Sequence, residues 1–405
     1  MSDLQTRLTD LTRRLVGGPV RSAVVAVEWR RRGSAGAAAG IARHDSGAPM
    51  RVDTQFHIAS VAKPMTAALI FQAAEEGLLS REGIDARLID TGVFPPEICR
   101  RLARIDGVST SDRITLRHML THTSGLRDAQ IDDGETTSEG YGSSPAPNSI
   151  VGRRAADFRR HVEAAAAGRV PEPGLCTLKH WLPWDPARPD DAEAGLVNFY
   201  LNNGCAERAL WPPGEGFHYS DTAFTILALV AEKLLGASYH RLLRARLFDP
   251  LGMNDSFLDA HSDLDPSPWV REVSDCWAGE VPMVSYGVTL SNDWGGGGVV
   301  STAHDLNRFM RGLVAGRLFR RAETLAEMLR WQHPRGLPER YSAVGNGVFT
   351  YPTPAGRTLI GHSGVWGGRM LSTPDGVLVL SGTLNMRSAR AEWIAEIADE
   401  VMRGG

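Results

Sequence analysis

The chain has 405 residues, of which 42% are apolar and 22% charged, and its formal net charge is −3 at pH 7. That length suits two domains, or one large domain with a long insertion, and the composition is that of a globular protein. Without net positive charge or a basic run interleaved with aromatics, nucleic acid and acidic membrane surfaces are poor candidates as partners.

Along the chain, Leu4, Leu8, Leu11 and Leu15 fall on one helical stripe, with Asp3 early and Arg13 and Arg14 late, as a helix dipole favours. This predicts a surface helix rather than a secretory signal. No stretch approaches the run of about 20 apolar residues that a membrane span needs. Residues 22–29 and 37–43 read as two strands joined by a Gly/Ser turn at 31–35. Helical patterning then dominates to about residue 313. It is interrupted at 127–216, a stretch rich in Gly, Pro, Ala and Trp with weak periodicity, which is expected to be an insertion laid over something else. Strand patterns return at 343–351, 357–362, 369–373 and 377–384, before a last amphipathic helix carrying Trp393, Ile394, Ile397 and Val401.

Strands at both ends with helices between predict an α/β plus all-α architecture. One antiparallel sheet domain would come from residues 1–60 and 295–405, and a mainly helical domain from 61–294. The four cysteines (Cys99, Cys176, Cys205, Cys276) are far apart and show neither a CxxC pair nor zinc spacing. They read as free thiols in a reducing cytosol, so a cytoplasmic location is expected. The spacing calls for no metal and no cofactor.

The chemistry starts from lysine. Only Lys63, Lys179 and Lys233 occur, against a large excess of arginine. Lysine can lose its proton when desolvated and arginine effectively cannot. Lys63 stands three residues after Ser60, in Ser60-Val61-Ala62-Lys63-Pro64. Pro64 is tolerated only in the first helical turn, so it pins a helix start near Ser60. Lys63, one turn on, returns to the face of Ser60 and could act as its general base. Alone, such an S-x-x-K is expected by chance in about one chain of this serine content in five.

Two further segments fit the same chemistry. Tyr219-Ser220-Asp221 follows a Pro-Pro-Gly turn and precedes an apolar helix, so Tyr219 could relay a proton to a leaving group. In Gly361-His362-Ser363-Gly364-Val365, an apolar strand edge runs into glycines. Gly364 would let a substrate lie flat against the strand, and the Val365 N–H could pair with that of Ser60 as an oxyanion hole. Three rival readings fail. The segment is one residue short of a G-x-S-x-G elbow with Ser363 as nucleophile, and that fold needs a histidine after the serine, whereas His362 is the last one. His118 and His122 lack the Glu that a zinc H-E-x-x-H requires. Gly295, Gly296, Gly297 and Gly298 follow no dinucleotide pattern and predict a mobile or close-approach loop beside a site.

Together these elements resemble the S-x-x-K serine superfamily of β-lactamases and penicillin-binding proteins, and within it the class C β-lactamase-related esterases, D-aminopeptidases and DD-peptidases. The resemblance runs from about residue 22 to 384. It includes ITLRHMLTHTSGL at 114–126, FDPLGMNDSF at 248–257 and GGVVSTAHDL at 297–306. It implies Ser60 as nucleophile, Lys63 as its base, Tyr219 as proton relay and His362 in the place of the K-T-G lysine, with Trp366 beside the substrate. Two departures bear on substrate. The asparagine of the family's Y-x-N is here Asp221, an acid that would oppose proton loss from Lys63; Ser220-Asp221-Thr222 also reads as an imperfect S-D-N. Histidine for lysine weakens carboxylate binding at neutral pH. The insertion at 127–216, with Trp181, Trp184 and Trp211, is expected to shape the acyl pocket.

The expected function is therefore an intracellular acyl-enzyme catalyst acting on a small-molecule ester or amide, by hydrolysis or by acyl transfer to an amine or alcohol. A true β-lactamase or DD-peptidase is the alternative within the class. A sensor acylated once, or an inactive binding module, is the alternative outside it.

Overall fold

The computed structural model describes residues 3–138, 144–167, 169, 182–259, 268–290, 293–387 and 392–403. Cys176, Lys179 and Trp181 lie outside the described residues.

Seven strands form one antiparallel sheet. In chain order they are β1 (Ser22–Trp29), β2 (Gly33–Gly40), β3 (Ala343–Val344), β4 (Phe349–Pro352), β5 (Thr358–Ser363), β6 (Arg369–Ser372) and β7 (Leu378–Thr383). Their spatial order is β3-β4-β5-β6-β7-β1-β2. The N-terminal hairpin thus joins the C-terminal strands through β7 and β1, with Val24 opposite Thr383 and Trp29 opposite Leu378.

Both faces of this sheet are covered, which is why β1 reads as a nearly continuous apolar run rather than an alternation. Val25, Val27 and Trp29 face the helices Asp3–Leu15 and Trp393–Met402, whose Leu4, Leu8, Leu11, Trp393 and Ile397 share that core. Val24 and Ala26 face the opposite way, into the larger core that includes the helix Ala303–Val314. The helical half is organised round the helix Lys63–Glu75, buried almost all round, and the helix Asp221–Leu235. A helix apolar on every side belongs inside, and this one is enclosed.

Several expectations change. The first hairpin turns at residues 30–32 rather than 31–35, because Gly33 takes a φ of +89° and pairs at once with Trp29. The strand expected over 343–351 is two strands, split where Gly347 adopts a φ of +79° and its N–H bonds the carbonyl of Leu120. The stretch 127–216 is not merely laid over the fold. It holds the helices Ile150–Ala166 and Leu196–Asn202, and Val197, Phe199 and Tyr200 of the second are fully buried in the main core. Among the described residues, no single helix is long and apolar enough to cross a membrane.

The four glycines are not a loop. Gly295, Gly296 and Gly297 continue Trp294 into a short buried helix, Trp294–Gly297, capped by Gly298 and wedged against the helix Asp221–Leu235. A Cβ on Gly295 would lie 2.5 Å from Ala228 Cβ and 2.8 Å from the carbonyl oxygen of Phe224. Gly295→Ala is expected to destabilise the fold by about 1–3 kcal/mol through overpacking. Urea unfolding measures this, and an unchanged midpoint would show that the wedge has room to spare.

Candidate active site

Ser60 sits in a 3₁₀ turn, Ala59–Ala62, that leads into the helix Lys63–Glu75 with Pro64 in its first turn. The residue before it, Ala59, has a φ of +49°. Non-glycine residues in this region carry strain on the order of 1 kcal/mol and cluster at functional sites. Here the surroundings hold it. Gly364 packs so closely that a Cβ would meet the Ile58 carbonyl at 2.4 Å and Ala59 Cβ at 3.3 Å. Gly297 presses from another side, where a Cβ would come 2.7 Å from the Ala59 carbonyl carbon. The side of Gly364 on which a Cβ would stand is therefore filled by the Ile58–Ala59 segment that leads into Ser60.

Lys63 is fully buried, and its Nζ is surrounded by three acceptors. Ser60 Oγ lies at 3.0 Å, the Gly296 carbonyl at 2.7 Å, and the Asp221 carboxylate is in direct contact. Three acceptors is the full complement of an ammonium. The same nitrogen stands 5.0 Å over the Tyr219 ring and 5.3 Å over that of Phe224. Asp221 is in place because Ser220 caps its helix, accepting the Ala223 N–H at 3.2 Å.

The Tyr219 hydroxyl bonds the Ser60 side chain. Burial, then the Asp221 charge, push this phenol well above its usual range, while the Ser60 bond pulls the other way. Tyr219 accordingly carries its proton at neutral pH.

His362 lies on β5 opposite Met370, its ring 6.3 Å from that of Tyr219. Its Nδ1 is 2.8 Å from the Ser363 carbonyl, and a carbonyl only accepts, so Nδ1 carries the hydrogen. Burial and the nearby Lys63 charge lower its pKa to about 3. At neutral pH His362 is uncharged. Ser363 Oγ is turned away to the Tyr351 hydroxyl at 3.2 Å. Val365 is half-buried in the turn that Gly364 and Gly368 close, with the Gly364 N–H on the Gly368 carbonyl at 2.8 Å. Trp366, also half-buried, uses its carbonyl to accept from the Thr383 hydroxyl.

Ser60, Lys63, Tyr219, Asp221, His362 and Gly364 thus converge, while two of the tryptophans go elsewhere. Trp184 packs edge-on against Phe94, and Trp211 lies under Arg335.

Sequence reasoning missed three residues. His122, set aside as a failed zinc ligand, is fully buried and stacks on Tyr219. Asp128 accepts the N–H groups of Gln130 and Asp221, and burial, then the Asp221 charge, push its carboxyl well upward. Asp293 lays its carboxylate on the glycine helix, with Oδ1 enclosed and, among the described residues, lacking a hydrogen-bond partner. Burial, then Asp221, raise Asp293 to about 7. The acid just before Trp294-Gly295-Gly296 was the available signal, but nothing local ties it to Lys63.

A family model described as Beta-lactamase matches residues 8–398. The chain belongs to the β-lactamase family. It is similar to a penicillin-binding protein of Bacillus subtilis, 23% identical over 339 residues, covering 79% of this chain and 57% of that one. It is also similar to esterase EstB of Burkholderia gladioli, 28% identical over 237 residues, covering 57% and 46% respectively. The chain spans about half the length of these curated relatives. The fold is that of D-amino acid amidase from Ochrobactrum anthropi, with a TM-score of 0.69, 19% identity, and 99% and 98% of the two chains covered. A D-stereospecific amidohydrolase from Streptomyces shares it, with a TM-score of 0.66 and 20% identity over 99% and 98%.

Two predictions follow from this electrostatics. Asp221→Ala leaves a buried ammonium without its carboxylate and is expected to cost about 3–5 kcal/mol in urea unfolding, with Asp221→Asn milder because an acceptor remains. Asp293 ionises near 7 in the fold against an ordinary 3.8, so the unfolded chain loses this proton first. Its effect on stability therefore grows more adverse as pH rises from about 4 to 7 and is constant above. The stability difference between Asp293→Asn and the wild type should widen in favour of the variant from pH 5 to pH 8. Parallel curves would show that Asp293 is ionised throughout.

Proposed function

We propose that this chain is a serine hydrolase that forms an acyl-enzyme at Ser60 with a small-molecule ester or amide. The observation that carries the reading is Ser60 Oγ held between Lys63 Nζ at 3.0 Å and the Tyr219 hydroxyl. Lys63 hands one proton to the Asp221 carboxylate it touches, and its freed lone pair takes the Ser60 proton as Oγ bonds the substrate carbonyl carbon. The N–H groups of Ser60 and Val365 meet the oxyanion. Tyr219 then gives its proton to the leaving ester oxygen or amide nitrogen as that bond breaks, and recovers one from Lys63. Water, or an amine or alcohol, repeats the sequence in reverse to release the acyl group.

The neutral His362 supports esters and amides without a carboxylate beside the scissile bond, ahead of penicillins and cell-wall peptides. The described cysteines Cys99, Cys205 and Cys276 are all free, which fits a reducing compartment. We also take residues 1–60 and 295–405 as the sheet unit and 61–294 as the helical one.

Ser60→Ala should abolish turnover and labelling by a serine-reactive phosphonate, while Ser363→Ala keeps the label. Lys63→Ala and Tyr219→Phe should each lower kcat by at least about 10²-fold and combine far from additively. Activated esters should turn over well and cephalosporins poorly, with part of the acyl group partitioning to added amine or alcohol. Label on Ser363 in the wild type would overturn the nucleophile. Efficient cephalosporin hydrolysis without partition would make the chain a β-lactamase, and one-time labelling without turnover a sensor.

A further inference from the structure

His122 holds the 218–220 segment by three separate contacts. Its carbonyl accepts the His218 N–H at 2.9 Å, and its Nδ1 accepts the Ser220 N–H at 3.1 Å. Its ring lies on the Tyr219 ring between them, with centroids 4.2 Å apart and planes 20° from parallel. Each residue of the Tyr219 triplet is thus held by one part of one side chain or its backbone. The backbone of His122 adopts a left-handed φ of +56° to do this. Such a conformation is retained only where the surroundings over-determine it.

The clamp has its own anchor. His122 N–H bonds the Met119 carbonyl at 3.2 Å, and Thr123 N–H bonds the His118 carbonyl at 2.7 Å, both at the end of the short helix Leu116–Leu120. On the far side, the Gly214 N–H reaches the Thr123 carbonyl at 2.8 Å, tying in the turn that feeds Tyr219. Phe217, Phe224 and Phe349 surround the ring.

We propose that His122 is the positioning residue for Tyr219, and that it acts through a bare Nδ1 that must stay unprotonated to receive the Ser220 N–H. This rests on the reading of Tyr219 as the proton donor to the leaving group. An imidazolium would set an N–H against an N–H and break the clamp. The groups facing the ring keep it neutral: the apolar rings desolvate it, and Lys63 at the site disfavours a second cation. A histidine kept only for packing would need none of this, because phenylalanine would serve.

The variants separate these possibilities. His122→Phe keeps a ring and loses the acceptor. His122→Asn keeps an acceptor near the place of Nδ1, tolerates the left-handed φ and loses the stack. With an activated ester, His122→Phe is expected to lower kcat about tenfold or more with KM within about twofold, while His122→Asn stays within about threefold of wild type. Phosphonate labelling of Ser60 should remain stoichiometric in both. The double variant with Tyr219→Phe should be no slower than Tyr219→Phe alone. A kcat for His122→Phe within about twofold of wild type, or losses that multiply in the double variant, overturns the proposal while leaving Tyr219 in its role. Tyr219→Phe at the wild-type rate removes both readings together. If His122→Phe shows no cooperative melt, His122→Asn decides: a tenfold loss of kcat in that folded variant overturns the acceptor role.

Discussion

The structure depends on one buried ammonium. Lys63 has no exposure, and a charge without partners in such a place costs several kcal/mol even after relaxation. One of its three acceptors, Ser60, is one turn back, and the other two come from distant parts of the chain: Asp221 at the start of another helix and the carbonyl of Gly296. Satisfying one nitrogen therefore brings two helix starts and the glycine wedge to a single point. The glycines follow from that demand, because the wedge reaches Lys63 with its backbone. A side chain on Gly297 would collide with both Asp293 and Ala59.

A second consequence is that neither histidine beside Tyr219 adds positive charge to the site. The charge of Lys63 is matched by Asp221, and Asp293 adds an acid across Gly296. His362 and His122 are both kept neutral, by burial first and by Lys63 second. Two imidazoles with opposite hydrogen placement flank Tyr219: Nδ1 donates in His362 and accepts in His122. The tautomer of each imidazole is thus set by a backbone group, the Ser363 carbonyl for His362 and the Ser220 N–H for His122.

What could be read from the sequence was what is local. Ser60, Lys63 and Pro64 announce themselves because a helix start and an i, i+3 spacing lie within five residues. Most sheet strands were visible as apolar runs, and the departures fall at turns where Gly33, Gly40 and Gly347 take positive φ. Asp221 was noticed as a departure from a pattern, but its contact with Lys63 spans 158 residues. His122 was hidden for the same reason. Its value lies in facing Tyr219, and nothing in a histidine-threonine-serine run reveals that its ring stacks. Trp184, in the same irregular stretch, packs on Phe94.

The sheet also carries a consequence for the order of assembly. Strand β1 is made well before its partner β7 and pairs with it only when residues 378–383 exist. The helix Lys63–Glu75 is synthesised long before the strand bearing His362 or the carbonyl of Gly296. A nascent chain would therefore hold a lysine with nowhere to place its charge, on a helix apolar all round. Such high contact order favours slow, late consolidation and exposes sticky surface meanwhile. The charge of Lys63 finds its last acceptor only when Gly296 is made, and the sheet closes later still, when β7 meets β1.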